Sequence, residues 1–318
     1  MSSLIEQAAK RLEELRRAGI DAPAEPRSPG NNARQSLSTP EAVILALDER
    51  ATTAASTGLR DARARTATAD NRGAGRRIDL DFAQLKNRGF VTPDAGASQI
   101  AEEFRVIKRP IIRNAVGASG ARVRNGNLIM VTSALPGEGK TFTSLNLALS
   151  IATEIDSTVL LVDGDVAHPS MPGVLGTPHG PGLLDLLTRN DLDFADALIK
   201  TNIDKLSVIP AGTRHRRSTE LLASEQMASL LREMASRYAD RIIIFDSPPL
   251  LATTEARVLA SNMGQIVMVV AADATSQNAV NQALATIEAC EVVLMVLNKA
   301  SRTDVGTYYG YYASDEAK

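Results

Sequence analysis

Six short apolar runs mark the chain from residue 128 onward: Leu128–Val131, Val159–Val162, Leu206–Ile209, Ile242–Phe245, Ile266–Val270 and Val292–Leu297. They are rich in Val, Ile and Leu, and none alternates with polar residues. A strand with one wet face alternates, whereas a strand covered on both faces reads as a continuous apolar run. Helical spacing separates most of them, over Thr141–Thr153, Glu220–Tyr238, Thr254–Asn262 and Ser276–Ala289. This order predicts an α/β fold with a doubly wound, mainly parallel sheet and helices on both faces. Ligands of such folds bind outside the carboxyl ends of the strands.

The pattern is different upstream. Leu4, Ile5, Ala8, Leu12 and Leu15 fall at helical spacing with Glu and Arg between them, so residues 1–20 read as an amphipathic helix. Such a helix is either a solvated surface element or a docking helix for a partner or a membrane surface. Residues 21–97 are rich in Ala, Arg, Thr, Ser, Gly and Pro. Seven arginines stand between Arg50 and Arg77 against Asp61 and Asp70, which reads as a basic tether. A short helix over 41–50 is expected to interrupt it. Residues 98–300 form the expected globular domain, and 301–318 a polar tail.

Composition narrows the function. Formal net charge over 318 residues is −2, which gives no global field for nucleic acid. One cysteine, Cys290, rules out an internal disulfide framework and a Cys-ligated cluster, and its apolar neighbourhood suggests a small buried side chain. His168, His179 and His215 lack metal-ligand spacing. No stretch approaches the ~20 apolar residues of a membrane span, and the N-terminus does not resemble a secretory leader. The expectation is a cytoplasmic protein in which any membrane role needs a second chain.

The first apolar run leads into Ser133-Ala-Leu-Pro-Gly-Glu-Gly139-Lys140-Thr141 and then a helix. This is a Walker A phosphate loop with Ala134 in place of the first glycine. The expected nucleotide contacts are Pro136, Gly137, Glu138, Gly139, Lys140, Thr141 and Phe142. The glycines let backbone N–H groups face phosphate at the positive end of the helix. Lys140 would reach the β- and γ-phosphates, and the Thr141 hydroxyl would ligate Mg²⁺. Asp163 and Asp165 follow the second run, and Asp246 ends a later one before Ser-Pro-Pro249. One acid at a strand end can be a helix cap. Three beside a phosphate loop fit a metal and nucleophile site better, with Asp246 as the Walker B acid. Asn298, after the last run, is a candidate hydrogen-bond partner for the base, or else a turn residue.

Four of the five tyrosines, Tyr308, Tyr309, Tyr311 and Tyr312, sit in the polar tail. A tail this poor in aliphatic groups builds no core, so their hydroxyls matter more than their rings. A phenol with a pKa of about 10 needs a base or a nearby metal to act as a nucleophile at neutral pH. Asp163 or Asp165 could take that proton.

Together, the Walker motifs at 134–141 and 246–249, the Asp163–Asp165 pair and the tyrosine cluster resemble the bacterial tyrosine kinases, a family derived from P-loop ATPases. The resemblance spans about residues 98–312. The N-terminal helix, the Arg-rich tether and Ile100–Pro110 look more narrowly like the exosortase (XrtA)-associated autokinases of exopolysaccharide loci. The resemblance implies ATP and Mg²⁺ as cofactors, with Lys140, Asp163 and Asp165 catalytic and Thr141, Asp163 and Asp246 at the metal. It implies Tyr308–Tyr312 as phosphoacceptors on neighbouring subunits. It also implies a membrane chain-length or activator partner in polysaccharide export and recruitment to the inner face of the plasma membrane. Glu102, Arg105 and Lys108 resemble the Glu-x-x-Arg-x-x-Arg motif through which the family forms rings. One departure is clear: Val166-Ala167-His168 stands where the family often carries arginine, and imidazole is mostly neutral at pH 7.

Two other readings share the phosphate loop. A partition- or division-site-type positioning ATPase would carry a signature lysine where Leu135 stands. A nucleotide-sensing adaptor would bind ATP and a membrane partner without transferring phosphate.

Overall fold

The computed structural model describes residues 76–94, 98–117, 123–237 and 241–300, together with the backbone of residues 44–48. The expected helix at 1–20, most of the tether and the tyrosine tail lie outside the described residues.

Among the described residues the strands are β1 (Ile44–Asp48), β2 (Leu128–Ser133), β3 (Thr158–Asp163), β4 (Ile199–Lys200), β5 (Leu206–Ile209), β6 (Arg241–Asp246), β7 (Gln265–Ala271) and β8 (Val292–Ala300). They form one sheet in the order β1-β8-β7-β2-β6-β3-β5-β4. Neighbours pair in parallel except at the β4 edge, where Ile199 and Lys200 run antiparallel to β5. Each of the six apolar runs is a strand. The helix expected at 41–50 is instead β1, which pairs with β8 from Ile44 opposite Met295. An open sheet edge offers a row of backbone donors and acceptors, and a short segment can satisfy its own by pairing there.

The strands are apolar throughout because alternate side chains feed two different cores. Ile129, Val131, Val159, Leu161, Ile242, Ile244, Val267 and Val269 point to one face. There they meet α1 (Phe82–Asn87), α2 (Gln99–Val116) and α3 (Lys140–Ala152). Leu128, Met130, Leu160, Val162, Ile243, Phe245, Ile266 and Met268 point to the other. That face is covered by α5 (Leu183–Thr188), α7 (Ser218–Leu222), α8 (Glu225–Arg237), α9 (Thr254–Ala260) and α10 (Gln277–Ala285), while α4 (Met171–Leu175) and α6 (Phe194–Ala197) are short connectors. This is the doubly wound arrangement expected from the pattern. The helix expected over 220–238 is two helices. The Ser224 hydroxyl accepts from Met227 N at 3.2 Å and starts the second.

Packing begins well before residue 98. Arg76 donates to Pro181 O at 2.6 Å and Pro178 O at 3.1 Å, Leu80 and Asn202 exchange two hydrogen bonds, and Leu80, Leu85, Phe90 and Val91 are buried. Residues 76–92, read from composition as tether, are therefore part of the fold. Arg76 is a bound side chain rather than a free charge of a basic linker. Cys290 is buried as expected, and burial raises its thiol pKa.

Candidate functional site

The carboxyl ends of β2, β3 and β6 meet at the centre of the sheet. β2 pairs with β6 and β6 with β3, so Val131, Asp246 and Asp163 lie side by side on neighbouring strands. The phosphate loop leaves β2 at that point. Its turn requires left-handed backbone at Gly137 (φ 82°) and Gly139 (φ 100°). Lys140 and Thr141 then open α3 without a side-chain cap, and the N–H groups of such a helix N-terminus favour an anion. The Ser-Pro-Pro segment after Asp246 is tied to the loop's root, with Thr132 Oγ1 donating to Pro248 O at 2.8 Å and Leu251 N donating to Ala134 O at 3.2 Å.

Asp163 and Asp246 are both fully buried. Burial, with the neighbouring Asp246 and Asp165 charges, pushes Asp163 up to about 8. Burial also pushes Asp246 up to about 6, against the lowering effect of the Thr141 and Ser144 hydroxyls and Lys140. Asp165 is half-buried and also raised by burial, while the His168 N–H and Lys140 pull it down. His168 N donates to Asp165 Oδ1 at 3.1 Å, so the stretch where the family often carries arginine bears on this acid through its backbone.

The structure brings in a residue that the motifs did not reveal. Ser170 Oγ lies 2.9 Å from Thr141 Oγ1 and donates to Asp246 Oδ2 at 3.4 Å. Met171 N donates to Asp163 Oδ2 at 3.3 Å. The other oxygen of each acid, Asp163 Oδ1 and Asp246 Oδ1, is buried without a hydrogen-bond partner. Orphaned buried carboxylate oxygens are costly unless a cation or water meets them. With two hydroxyls and two such acids beside a phosphate loop, the donor set is all oxygen and fits Mg²⁺. Among the described residues no cluster of three His, Cys, Asp or Glu ligands forms.

The side chains of three expected contacts are engaged within the protein. The Glu138 side chain turns inward: it accepts from Leu135 N at 2.6 Å and Ala271 N at 3.4 Å, and from the Thr275 hydroxyl. Only its backbone is left for a phosphate. The Phe142 ring packs against Phe90 and Phe104, with ring centroids 5.3 and 6.4 Å apart, so it serves the core. Asn298 does not stand in a turn awaiting a base. It is fully buried within β8, its Nδ2 donates to Glu138 O at 2.8 Å, and its Oδ1 accepts from Lys299 N at 2.9 Å.

The proposed ring motif also divides. Glu102 and Arg105 are exposed on α2 and pair at 2.5 Å. Lys108 is buried: its Nζ donates to Ser150 O at 2.6 Å and Thr153 Oγ1 at 3.2 Å, and pairs with Glu154 at 2.8 Å. It holds α2 to the end of α3 and is not a surface residue. Exposed Arg109 is its neighbour in sequence. Arg214–Arg217 are exposed in the loop beyond β5. Tyr308, Tyr309, Tyr311 and Tyr312 lie outside the described residues.

Comparison with known proteins decides among the P-loop lineages. The AAA domain profile matches residues 126–298. Tyrosine-protein kinase CpsD of Streptococcus agalactiae is 31% identical over 212 residues, covering 65% of this chain and 89% of that protein. The chain belongs to the bacterial tyrosine-kinase family. Tyrosine-protein kinase YwqD of Bacillus subtilis is 28% identical over 242 residues, covering 74% of this chain and 98% of its own length. Among solved structures, the chimerical protein CapA2B2 is 29% identical with a TM-score of 0.57, covering 72% of this chain and 94% of that one. Tyrosine-protein kinase wzc of Salmonella typhimurium is longer: the 31% identical match covers 26% of it. Among the described residues no helix is long and apolar enough to cross a membrane.

Proposed function

We propose that this protein is an ATP-dependent protein-tyrosine kinase that phosphorylates the C-terminal tyrosines of neighbouring copies. One observation carries the reading: two buried acids with orphaned oxygens converge with the Thr141 and Ser170 hydroxyls at the mouth of a phosphate loop, in a chain of tyrosine-kinase lineage.

In this reading the N–H groups of Gly137–Thr141 cradle the phosphates, and Lys140 neutralises charge on the γ-phosphate as the bond to the β-phosphate breaks. Thr141, Asp163 and Asp246 would hold Mg²⁺, which supplies charge neutralisation and orientation of the phosphates when bound. Asp165 is the better placed base for an incoming phenol. It is half-buried, with burial raising its pKa, whereas Asp163 is fully buried. The phenol oxygen bonds to phosphorus, ADP leaves, and the phenolic proton passes to Asp165.

The wider setting follows from the resemblance: an exosortase-associated role in exopolysaccharide synthesis and export, a membrane activator partner, recruitment to the inner membrane face, and a ring held through Glu102 and Arg105. Each added phosphate brings about −1.5 to −2 charges, so successive modification loosens such a ring.

The test is incubation of the full chain with Mg·ATP, beside Lys140→Met, with the tail read by mass spectrometry. Phosphate on Tyr308–Tyr312 in the wild type and not in Lys140→Met is the expected result. ATP hydrolysis with an unmodified tail would favour the positioning ATPase or the adaptor.

A further inference from the structure

Two consecutive residues at the end of β8 hold two consecutive carbonyls of the phosphate loop. Asn298 Nδ2 donates to Glu138 O at 2.8 Å, and Lys299 Nζ donates to Gly137 O at 2.8 Å. Side chains at successive strand positions normally point to opposite faces. Here they reach the same loop because Lys299 takes left-handed backbone, φ 61°, which is uncommon for a residue with a Cβ. Its own N–H closes onto Asn298 Oδ1 at 2.9 Å and fixes the bend.

Peptide planarity gives this contact a consequence. In a trans peptide the C=O of one residue and the N–H of the next point in opposite directions. A Gly137 carbonyl drawn toward Lys299 sends the Glu138 N–H to the opposite side. A Glu138 carbonyl drawn toward Asn298 does the same for the Gly139 N–H. The Glu138 carboxylate closes the same brace from within the loop, through Leu135 N, Ala271 N and the Thr275 hydroxyl. Gly139 is required at this point, since a Cβ there would lie 2.0 Å from Asn298 Nδ2. Left-handed backbone at a bulky residue costs free energy, and such strain gathers where function needs a fixed geometry.

We propose that Asn298 and Lys299 are positioning residues for nucleotide binding, which pin the loop carbonyls outward so that the Glu138 and Gly139 N–H groups face phosphate. The ligand class is a nucleoside di- or triphosphate, and the inference rests on the loop binding one. Neither residue touches the reacting atoms, so their effect falls on affinity rather than on chemistry. Lys299 is half-buried near the end of β8 and belongs to neither core cluster, so its replacement leaves both cores intact.

The experiment uses the full chain and a fluorescent ADP analogue, with wild type, Lys299→Met and Lys299→Arg, each checked by thermal melting. Loss of one charge-assisted hydrogen bond should raise the Kd of Lys299→Met about tenfold. KM for ATP should rise by a similar factor with kcat little changed, and Lys299→Arg should recover most of the loss. An unchanged Kd and KM in a folded Lys299→Met would overturn the proposal, as would a fall in kcat alone. A wild-type chain that binds no ADP analogue would instead overturn the nucleotide reading and take this proposal with it.

Discussion

Lys108 Nζ lies 2.8 Å from Glu154 Oε1, across the junction of α2 with the end of α3. The lysine side chain is 4% exposed and the glutamate 28%. Lys108 also supplies the Ser150 carbonyl and the Thr153 hydroxyl at the carboxyl end of the phosphate-loop helix, where a cation is favoured by the helix dipole. The helix carrying the exposed Glu102 and Arg105 is thereby fastened to the helix that begins with Lys140.

Lys108→Met should therefore act as a stability variant. Removing one partner of a largely buried pair leaves the other short of a hydrogen bond, and a loss of about 2–3 kcal/mol is expected. Arg105→Ala, which breaks an exposed i,i+3 pair, should cost only about 0.2–0.5 kcal/mol. Urea unfolding separates the two. Equal midpoints would contradict the buried role of Lys108. Sedimentation of Glu102→Ala and Arg105→Ala then reports on assembly, and an unchanged mass would remove those residues from the interface.

The paired acids predict an unusual pH response. Asp163 and Asp246 are raised to about 8 and about 6 in the folded chain, above the ordinary aspartate range. The folded state thus holds protons that the unfolded chain releases from about pH 4. Their contribution to stability is full at low pH and is lost as pH rises through the folded values. Without Mg²⁺ or nucleotide, the melting temperature should fall between pH 5 and pH 8 by more in the wild type than in Asp163→Asn. Mg·ADP should reduce that difference by favouring the ionised acids. Parallel profiles for the two chains would refute it.

Gly139→Ala should lose nucleotide binding. Its φ of 100° disfavours any Cβ, and the new atom would meet the Asn298 amide at 2.0 Å. Strain of about 1–3 kcal/mol is expected, relieved by moving the loop. Gly173 is a suitable control, because nothing lies within 4 Å of a Cβ there. Calorimetry with ADP should show weak or no binding for Gly139→Ala and wild-type affinity for Gly173→Ala.

Phe90 tests where the packed fold begins. It stacks on Phe142 at 5.3 Å and is 4% exposed. Phe90→Ala should cost about 3–5 kcal/mol, as buried aromatic truncations do. A chain starting at residue 98 should melt well below the full chain. Equal melting temperatures would return residues 76–92 to the role of a tether.

The β/α order, the parallel sheet and the phosphate loop were legible in the sequence because burial on both faces writes continuous apolar runs and phosphate binding demands Gly-Lys-Thr after a strand. The three strand-end acids were legible for the same reason, since topology fixes where strand ends meet. Composition misread residues 76–92, because a few large side chains, Leu80, Leu85 and Phe90, are enough to bury a segment otherwise rich in polar residues. It misread 41–50 as well, since so short a segment can pair along a sheet edge whatever its helical spacing. The roles of Lys108, Asn298, Lys299 and Ser170 belong to the tertiary structure alone. Each depends on which side chain crosses to an element more than 25 residues away in sequence. For Lys299 it depends further on one left-handed residue that reverses the expected face of a strand position. Local pattern carries information about period and burial, whereas a hydrogen bond between distant elements is fixed only when the sheet brings their ends together.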